Sequence, residues 1–312
     1  MASVRAKRND LPAAGTSGLL LRQQLVTAPG SVYYVPDSQS SCELPGRLLA
    51  IRYVEKSAQV IIDSVRGAGI SMAVTKAIKR SDALTILARQ IRQFVKRQKY
   101  ARKWNDATKA YLATHQVRKL EIGARVASLD GWLSTDVDPV SEGTVFLDAT
   151  TPFPFDCGTF DYIYCEHMIE HISWQKGQTM LRECHRVLKP RGVMRIATPD
   201  LEVVLGLYSA TLSAEQKNYI EWMVRKELPG VSRHKAAFVI NNAFRNWGHQ
   251  FIYDGDLITL ALDRCGFIDI RRCAYGESNE EHLRQIETHG KHIGDEKIAR
   301  FESMIFEGTR PG

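Results

Sequence analysis

The sequence predicts an α/β fold: a doubly wound, mainly parallel seven-stranded sheet with a largely helical N-terminal extension. Three observations predict it. After His115, strand-like runs alternate with helical spacing, the pattern of a parallel sheet with helices on both faces. Before His115, the spacing is helical or irregular and no such alternation appears. Charge divides at the same place: residues 1–119 hold 21 Lys+Arg and 7 Asp+Glu, and the remainder holds 21 and 28. Such an asymmetry marks two regions with different roles, an extension over 1–115 and a domain over 116–312.

Residues 1–46 are rich in Ser, Pro, Gly and Ala, with one strand-like run, SVYYVP, and read as irregular. Residues 47–70 fit helix and strand equally. From Ser81 the spacing is helical: Leu84, Leu87, Ile91, Phe94 and Val95 share one face, ringed by Arg89, Arg92, Lys96, Arg97, Lys99, Arg102 and Lys103. A basic amphipathic helix over 84–104 suits peripheral contact with an anionic membrane, or nucleic acid; equally, it packs on the main domain with its basic face in solvent.

In the domain, the strands predicted in order are RKLEIGA, WLSTDVD, TVFLDA, FDYIYCE, VMRIATPD, FIDIRRCAY and FESMIFEG. Helices fit Gln175–Val187 and Asp254–Cys265. Two long segments, 201–253 and 276–297, follow the fifth and sixth strands and read as insertions that cap a substrate. No run of about 18 apolar residues occurs, so no membrane-spanning helix is expected. MASVRAKRND has no apolar stretch behind its basic residues, so no secretory signal is read there. The six cysteines lack CxxC spacing, which predicts reduced thiols in a cytoplasmic protein rather than zinc or dithiol chemistry.

In a doubly wound sheet the ligand sits beyond the carboxyl ends of the strands, where strand order reverses. Gly123 falls where the first strand ends, and a glycine there tolerates positive φ and close approach. Asp136, at the end of the second strand, can accept hydrogen bonds from both hydroxyls of a ribose. A dinucleotide would need GxGxxG to bring its pyrophosphate to a helix N-terminus. The letters here are GARVAS, which favour a cofactor without phosphates.

The rest of the domain strengthens that reading. VFLDATTPFPFDCGTFDYIYCEHMIEHI, followed by RECHRVLKPRGVMRIATPD, resembles the class I S-adenosylmethionine-dependent methyltransferases over roughly residues 117–310. The resemblance implies S-adenosylmethionine as cofactor and a Rossmann-like sheet. Asp148, with Ala149 beside it, matches the family's acid for the adenine amine, and Phe160–Asp161 its opening of the fourth strand. Cys165–His171 matches the stretch after that strand, and Arg186–Gly192 the turn before the fifth. The cofactor residues so implied are Glu121, Gly123, Asp136, Asp148, Ala149, Cys165 and Glu166. The sequence departs from the family's glycines at Arg125 and Arg191. Arg125 keeps a catalytically inactive methyltransferase-like scaffold open as a rival reading. GWLSTD resembles a subgroup with a GWLNxD-type second strand, often associated with surface-glycan assembly.

Methyl transfer needs donor and acceptor held in line, and a hydroxyl acceptor also needs a base. The base candidates are His249, His289 and His167. Asn242, Arg245 and Trp247 suit a sugar-like or small polar acceptor, with amides and Arg for hydroxyls and Trp for an apolar ring face. A small molecule or glycan is thus the expected substrate, through an oxygen more than a nitrogen. A nucleic-acid methyltransferase guided by the basic helix is a further rival. The letters CEHM stand where many amino-group DNA methyltransferases carry Asn/Asp-Pro-Pro-Tyr, which counts against it. A homo-oligomer is compatible with the sequence. His167 and His171 have a metal-compatible i,i+4 spacing. HMIEH lacks the HExxH order and no third ligand is identifiable, so no metal is expected.

Overall fold

The computed structural model describes Val95, residues 100–125 and residues 129–312. Apart from Val95, the readings made for residues 1–99 lie outside the described residues. Seven strands form one sheet: β1 Lys119–Ile122, β2 Leu133–Asp136, β3 Val145–Phe146, β4 Phe160–Glu166, β5 Leu188–Pro199, β6 Ile268–Cys273 and β7 Ser303–Thr309. Each overlaps one of the predicted runs, but β5 begins five residues early, at Leu188, in the stretch read as a turn. Their order is β3-β2-β1-β4-β5-β7-β6. The first five are parallel, and β7 runs antiparallel to both β5 and β6. Strand order reverses between β1 and β4, so a ligand crevice opens at their carboxyl ends.

The helices are α1 over residues 100–114, then α2 Trp174–Val187, α3 Leu201–Gly206, α4 Ala214–Glu227, α5 Ala236–Arg245, α6 Gly255–Asp263, α7 His289–Ile293 and α8 Glu296–Glu302. Helix α2 forms because Met180, Leu181, Cys184 and Val187 recur on one buried face. Helix α6 starts where the Asp254 side chain accepts from Leu257 N. Both pack on one face of the sheet, against Leu120, Ile163, Cys165, Met194 and Ile196. Helix α1 joins the same core through Tyr111, Trp104 and Ala107. The Tyr111 hydroxyl donates to Lys119 O at 2.9 Å, which ties the helix to the start of β1. None of the described helices is long and apolar enough to cross a membrane.

The helices are shared unequally between the faces. Residues 123–132 and 137–144 join β1 to β2 and β2 to β3, and no described residue in them is helical. Both connections are shorter than the dozen or so residues of a helical crossover. The second face is covered instead by Trp132 from the first connection and Leu283 from the 276–297 insertion, packed on Tyr164 and Val193. Beside them lies a buried charge network. Arg195, fully buried, donates through Nε to Glu287 Oε1 at 2.7 Å and through Nη1 to Glu307 Oε1 at 2.6 Å. Its Nη1 also donates to Glu277 O at 2.9 Å, and Arg271 reaches Glu307 Oε2. Burial pushes the Glu307 carboxyl up, but bonds from Arg271, Ser278 and Arg195 outweigh it and hold it below the ordinary range.

Cys165, Cys184, Cys265 and Cys273 are free thiols. Cys157 is disulfide-bonded, so the expectation of reduced thiols fails at that position.

Arg191, which stands where the resembled family has glycine, keeps a left-handed backbone at φ 64°. Holding a side chain there costs roughly 1–2 kcal/mol. Arg191→Gly removes that cost and adds back about 0.4–1 kcal/mol of unfolded-state entropy. A gain in stability of about 0.5–1 kcal/mol by urea denaturation is expected, and a loss would show that the arginine side chain earns its position by contacts. Arg195→Met leaves Glu287 buried without its cation and Glu307 with Arg271 alone. It is expected to cost about 3–5 kcal/mol in the same measurement.

Candidate active site

The carboxyl ends of β1, β2 and β3 are laced together by backbone hydrogen bonds. Gly123 N and Ala124 N both donate to Thr135 O, at 2.8 and 3.0 Å, and Leu147 N donates to Asp136 O at 3.0 Å. This lacing brings Gly123, Asp136 and Asp148 to one edge, as the sequence predicts. Gly123 has φ 83°, and a Cβ there would stand 2.7 Å from Met168 Cγ. The glycine is therefore required by backbone conformation and by the packing of Met168, not only by the approach of a ligand. Asp136 is half-buried; its Oδ2 accepts Arg125 N at 3.0 Å and its Oδ1 accepts Asp138 N at 2.7 Å. Each oxygen retains a lone pair for a further donor. Arg125 is exposed and, like Arg191, keeps a positive φ, here 46°. Asp148 Oδ1 takes the Thr150 amide and hydroxyl at 2.9 and 2.7 Å, which leaves Oδ2 without a partner among the described residues. Ala149 beside it is buried.

Three of the predicted cofactor residues have other partners. Glu121 is buried and accepts Ser134 Oγ at 2.6 Å and Leu129 N at 3.2 Å, so it fastens the first connection onto β2. Burial pushes its carboxyl up. Cys165 points into the core under α2, where burial pushes its thiol up; its side chain does not reach the open edge. Glu166 accepts Thr288 N at 3.0 and 2.9 Å, Thr288 Oγ1 at 2.7 Å and His289 N at 3.0 Å. Its carboxylate anchors the 276–297 insertion rather than facing a cofactor.

That anchor gathers histidines over the ends of β4 and β7. His167 follows β4 in a left-handed conformation, φ 45°, with its amide bonded to Ala197 O at 2.9 Å. Its ring stacks on His289 with centroids 3.7 Å apart and planes 14° apart. His167 Nε2 lies 2.8 Å from Ser303 Oγ, and its Nδ1 lies 3.4 Å from Glu170 Oε1. Burial lowers the affinity of His167 for its proton. Glu170, with Glu302 and Glu166, outweighs burial and shifts it upward. His289 Nε2 lies 2.8 Å from Glu302 Oε1, and Glu302 Oε2 accepts the Tyr219 hydroxyl at 2.7 Å. His167 and His289, two predicted bases, are thus brought together.

The third, His249, stands beside His171, their rings 4.9 Å apart and crossing at 69°. Its Nδ1 bonds to Ala243 O at 2.8 Å, and burial lowers its affinity for a proton. Of the predicted substrate residues, Trp247 lines the rim: it is 45% exposed, its ring centroid 5.5 Å from that of His249. Arg245 is exposed nearby. Asn242 is buried; its Oδ1 takes the Asn246 amide and its carbonyl takes Asn246 N at 2.9 Å, so it finishes α5 instead of facing outward. Sequence reasoning missed Tyr219, Thr288, Glu302 and Ser303. Their roles come from contacts between segments far apart in the chain, which spacing does not encode.

Residues 113–196 match the family model described as a methyltransferase domain. No curated protein matches the chain. Among solved structures, a Thermotoga maritima S-adenosylmethionine-dependent methyltransferase is 16% identical over 68% of this chain and 95% of its own, with a TM-score of 0.36. A Mesorhizobium loti S-adenosylmethionine-dependent methyltransferase is 14% identical over 65% and 96%, with a TM-score of 0.35. Haemonchus contortus phosphoethanolamine N-methyltransferase 2, solved with S-adenosyl-L-methionine, is 16% identical over 67% of this chain and 53% of its own, at 0.34. The residues present fit that cofactor: Asp136 has lone pairs for a ribose and Asp148 Oδ2 is open to an adenine amine. Residues 113–196 are thus a methyltransferase domain, set on a mainly parallel sheet of the Rossmann-like order.

Proposed function

We propose that this methyltransferase methylates a hydroxyl oxygen of a sugar-like, polyhydroxylated acceptor, with His289 as the base. The observation that carries the proposal is the Tyr219–Glu302–His289 chain at the carboxyl ends of the strands. Both Glu302 oxygens are engaged, one by Tyr219 and one by His289 Nε2. A carboxylate so held fixes the imidazole with Nε2 as its donor and Nδ1 as the nitrogen that takes a proton. Nδ1 has no partner among the described residues. When bound, S-adenosylmethionine supplies a methyl group on a sulfonium, whose departure needs no acid. The one proton to be moved is therefore the acceptor's, and His289 Nδ1 takes it. A neutral amine acceptor is already nucleophilic and needs such a base less, which is why the chain favours an oxygen.

Trp247 supports the sugar-like class. An indole held open at the rim offers a flat apolar face to a pyranose ring, and the Arg245 guanidinium beside it can bond hydroxyls. Asp136 and Asp148 hold the cofactor's ribose and adenine, and Glu121 keeps the connecting loop in place for them.

Calorimetric titration tests the cofactor half. Asp136→Asn and Asp148→Ala are each expected to weaken S-adenosylmethionine binding by about tenfold or more, since a hydrogen bond to a charged group contributes roughly 1.5–3 kcal/mol. Unaltered affinity in both variants would move the adenosine elsewhere. The acceptor half is tested by transfer of radiolabelled methyl onto a panel of glycans, sugar nucleotides and amines. His289→Gln is expected to lower kcat on the hydroxyl acceptor by about 10²–10⁴ with cofactor affinity unchanged. Glu302→Gln should lower it less, in the same direction. Full turnover in His289→Gln, or transfer to amines alone, would overturn the proposal.

A further inference from the structure

We propose that Glu170, His171 and His249 form a binding site for one divalent transition-metal ion of the zinc type. Their candidate ligand atoms all lie within 4.8 Å of one another. Two ligands about 2.1 Å from a common ion stand at most about 4.2 Å apart, so a small side-chain adjustment closes the set.

Four features point to a ligand rather than to an accidental cluster. First, Glu170 is fully buried and one of its carboxylate oxygens receives no hydrogen bond. It is Oε1, since Oε2 accepts the Thr198 hydroxyl at 3.0 Å. The nearest cationic group, His167 Nδ1, is 3.4 Å away, long for a charged pair. A buried carboxylate oxygen left this way is costly unless something coordinates it. Second, the Ala243 carbonyl can only accept, so His249 Nδ1 donates to it and Nε2 carries the lone pair. A carbonyl on the far nitrogen is the usual support of a metal-binding histidine.

Third, the two segments that carry the ligands are already fastened together. Gln250 N and Phe251 N donate to Glu170 O at 2.7 and 3.2 Å, and Gln250 Nε2 donates to His171 O at 2.7 Å. Fourth, ring orientation selects this cluster over its neighbour. Imidazole lone pairs lie in the ring plane. The His171 and His249 planes cross at 69°, so their lone pairs can meet at one point. The His167 and His289 planes lie 14° from parallel with centroids 3.7 Å apart, so theirs cannot. The neighbouring group of His167, His289 and Glu302 therefore serves protons and not an ion.

Two nitrogens and one carboxylate oxygen suit Zn²⁺ and Co²⁺ better than Mg²⁺ or Ca²⁺, and leave a fourth position for water or an acceptor oxygen. The test uses the full chain, stripped by chelator, dialysed and titrated with Co²⁺, then with Zn²⁺ in competition. The expected result is about one equivalent of Co²⁺ with the intense visible bands of a tetrahedral N/O site, displaced by Zn²⁺. His171→Ala and His249→Gln should each weaken binding by on the order of 100-fold or more, since even supporting groups account for 10–100-fold. His292→Ala, an exposed histidine outside the set, should leave it unchanged. Melting temperature supplies a readout independent of colour: Zn²⁺ should raise it in the parent and in His292→Ala, and not in His249→Gln. No cobalt spectrum in the parent, or binding undiminished in both His171→Ala and His249→Gln, would overturn the site.

Discussion

The Glu166 carboxylate decides where the 276–297 insertion goes, and the insertion decides what stands over the sheet. Four hydrogen bonds from Thr288 and His289 converge on this group at the end of β4. They set the start of α7, which places the His289 ring on His167. The eleven positions before Thr288 are constrained further by the Arg195 network, through Glu277 at one end and Glu287 at the other. An ion network this deeply buried is weak evidence of stability, because desolvation offsets most of the attraction. Its consequence is registry. With Arg195 fixed in β5, only one placement of the insertion satisfies Glu287, Glu277 and Glu166 together.

The short connections after β1 and β2 give the insertion its second role. A parallel pair whose described connecting residues form no helix leaves the sheet face beside it bare. Trp132 covers part of that face and Leu283, from the insertion, covers more. The same segment therefore shields the sheet and carries the proposed base. A change that loosens the cover would also displace His289, so stability and turnover are linked in this segment by construction.

The strands were legible because each pairs a short apolar or alternating run with a turn signal, and α2 and α6 because their apolar residues keep a helical spacing. The edge that brings Gly123, Asp136 and Asp148 together was legible too, since all three end parallel strands on the same side. Strand alternation could have corrected one expectation: Cys165 and Glu166 are adjacent in β4, so their side chains leave opposite faces and cannot both meet a cofactor. The departures from glycine misled in a different way. Arg125 read as a possible loss of function and Arg191 as a plain departure from glycine, yet both keep a positive φ. The letter changed and the backbone did not. Nothing in the sequence announced Glu302 or Tyr219, because their meeting depends on α4 and α8 packing through Tyr219 and Phe301, rings 5.1 Å apart.

Beside the histidines, His167 and Trp247 are non-glycine residues held at positive φ, 45° and 57°. Each such residue costs of order 1–3 kcal/mol and persists only where its surroundings over-determine it. The surroundings here are identifiable. The His167 amide is held by Ala197 and its ring by Ser303 and His289. Trp247 is followed by Gly248, whose own φ is 82°, and by residues bonded to the 169–171 turn. The Asn246–Gly248 bend lets His249 turn inward to His171 while Trp247 turns outward. Trp247, so held, keeps an aromatic surface in water beside His249. An exposed aromatic face beside His249 is what the proposed acceptor rim requires.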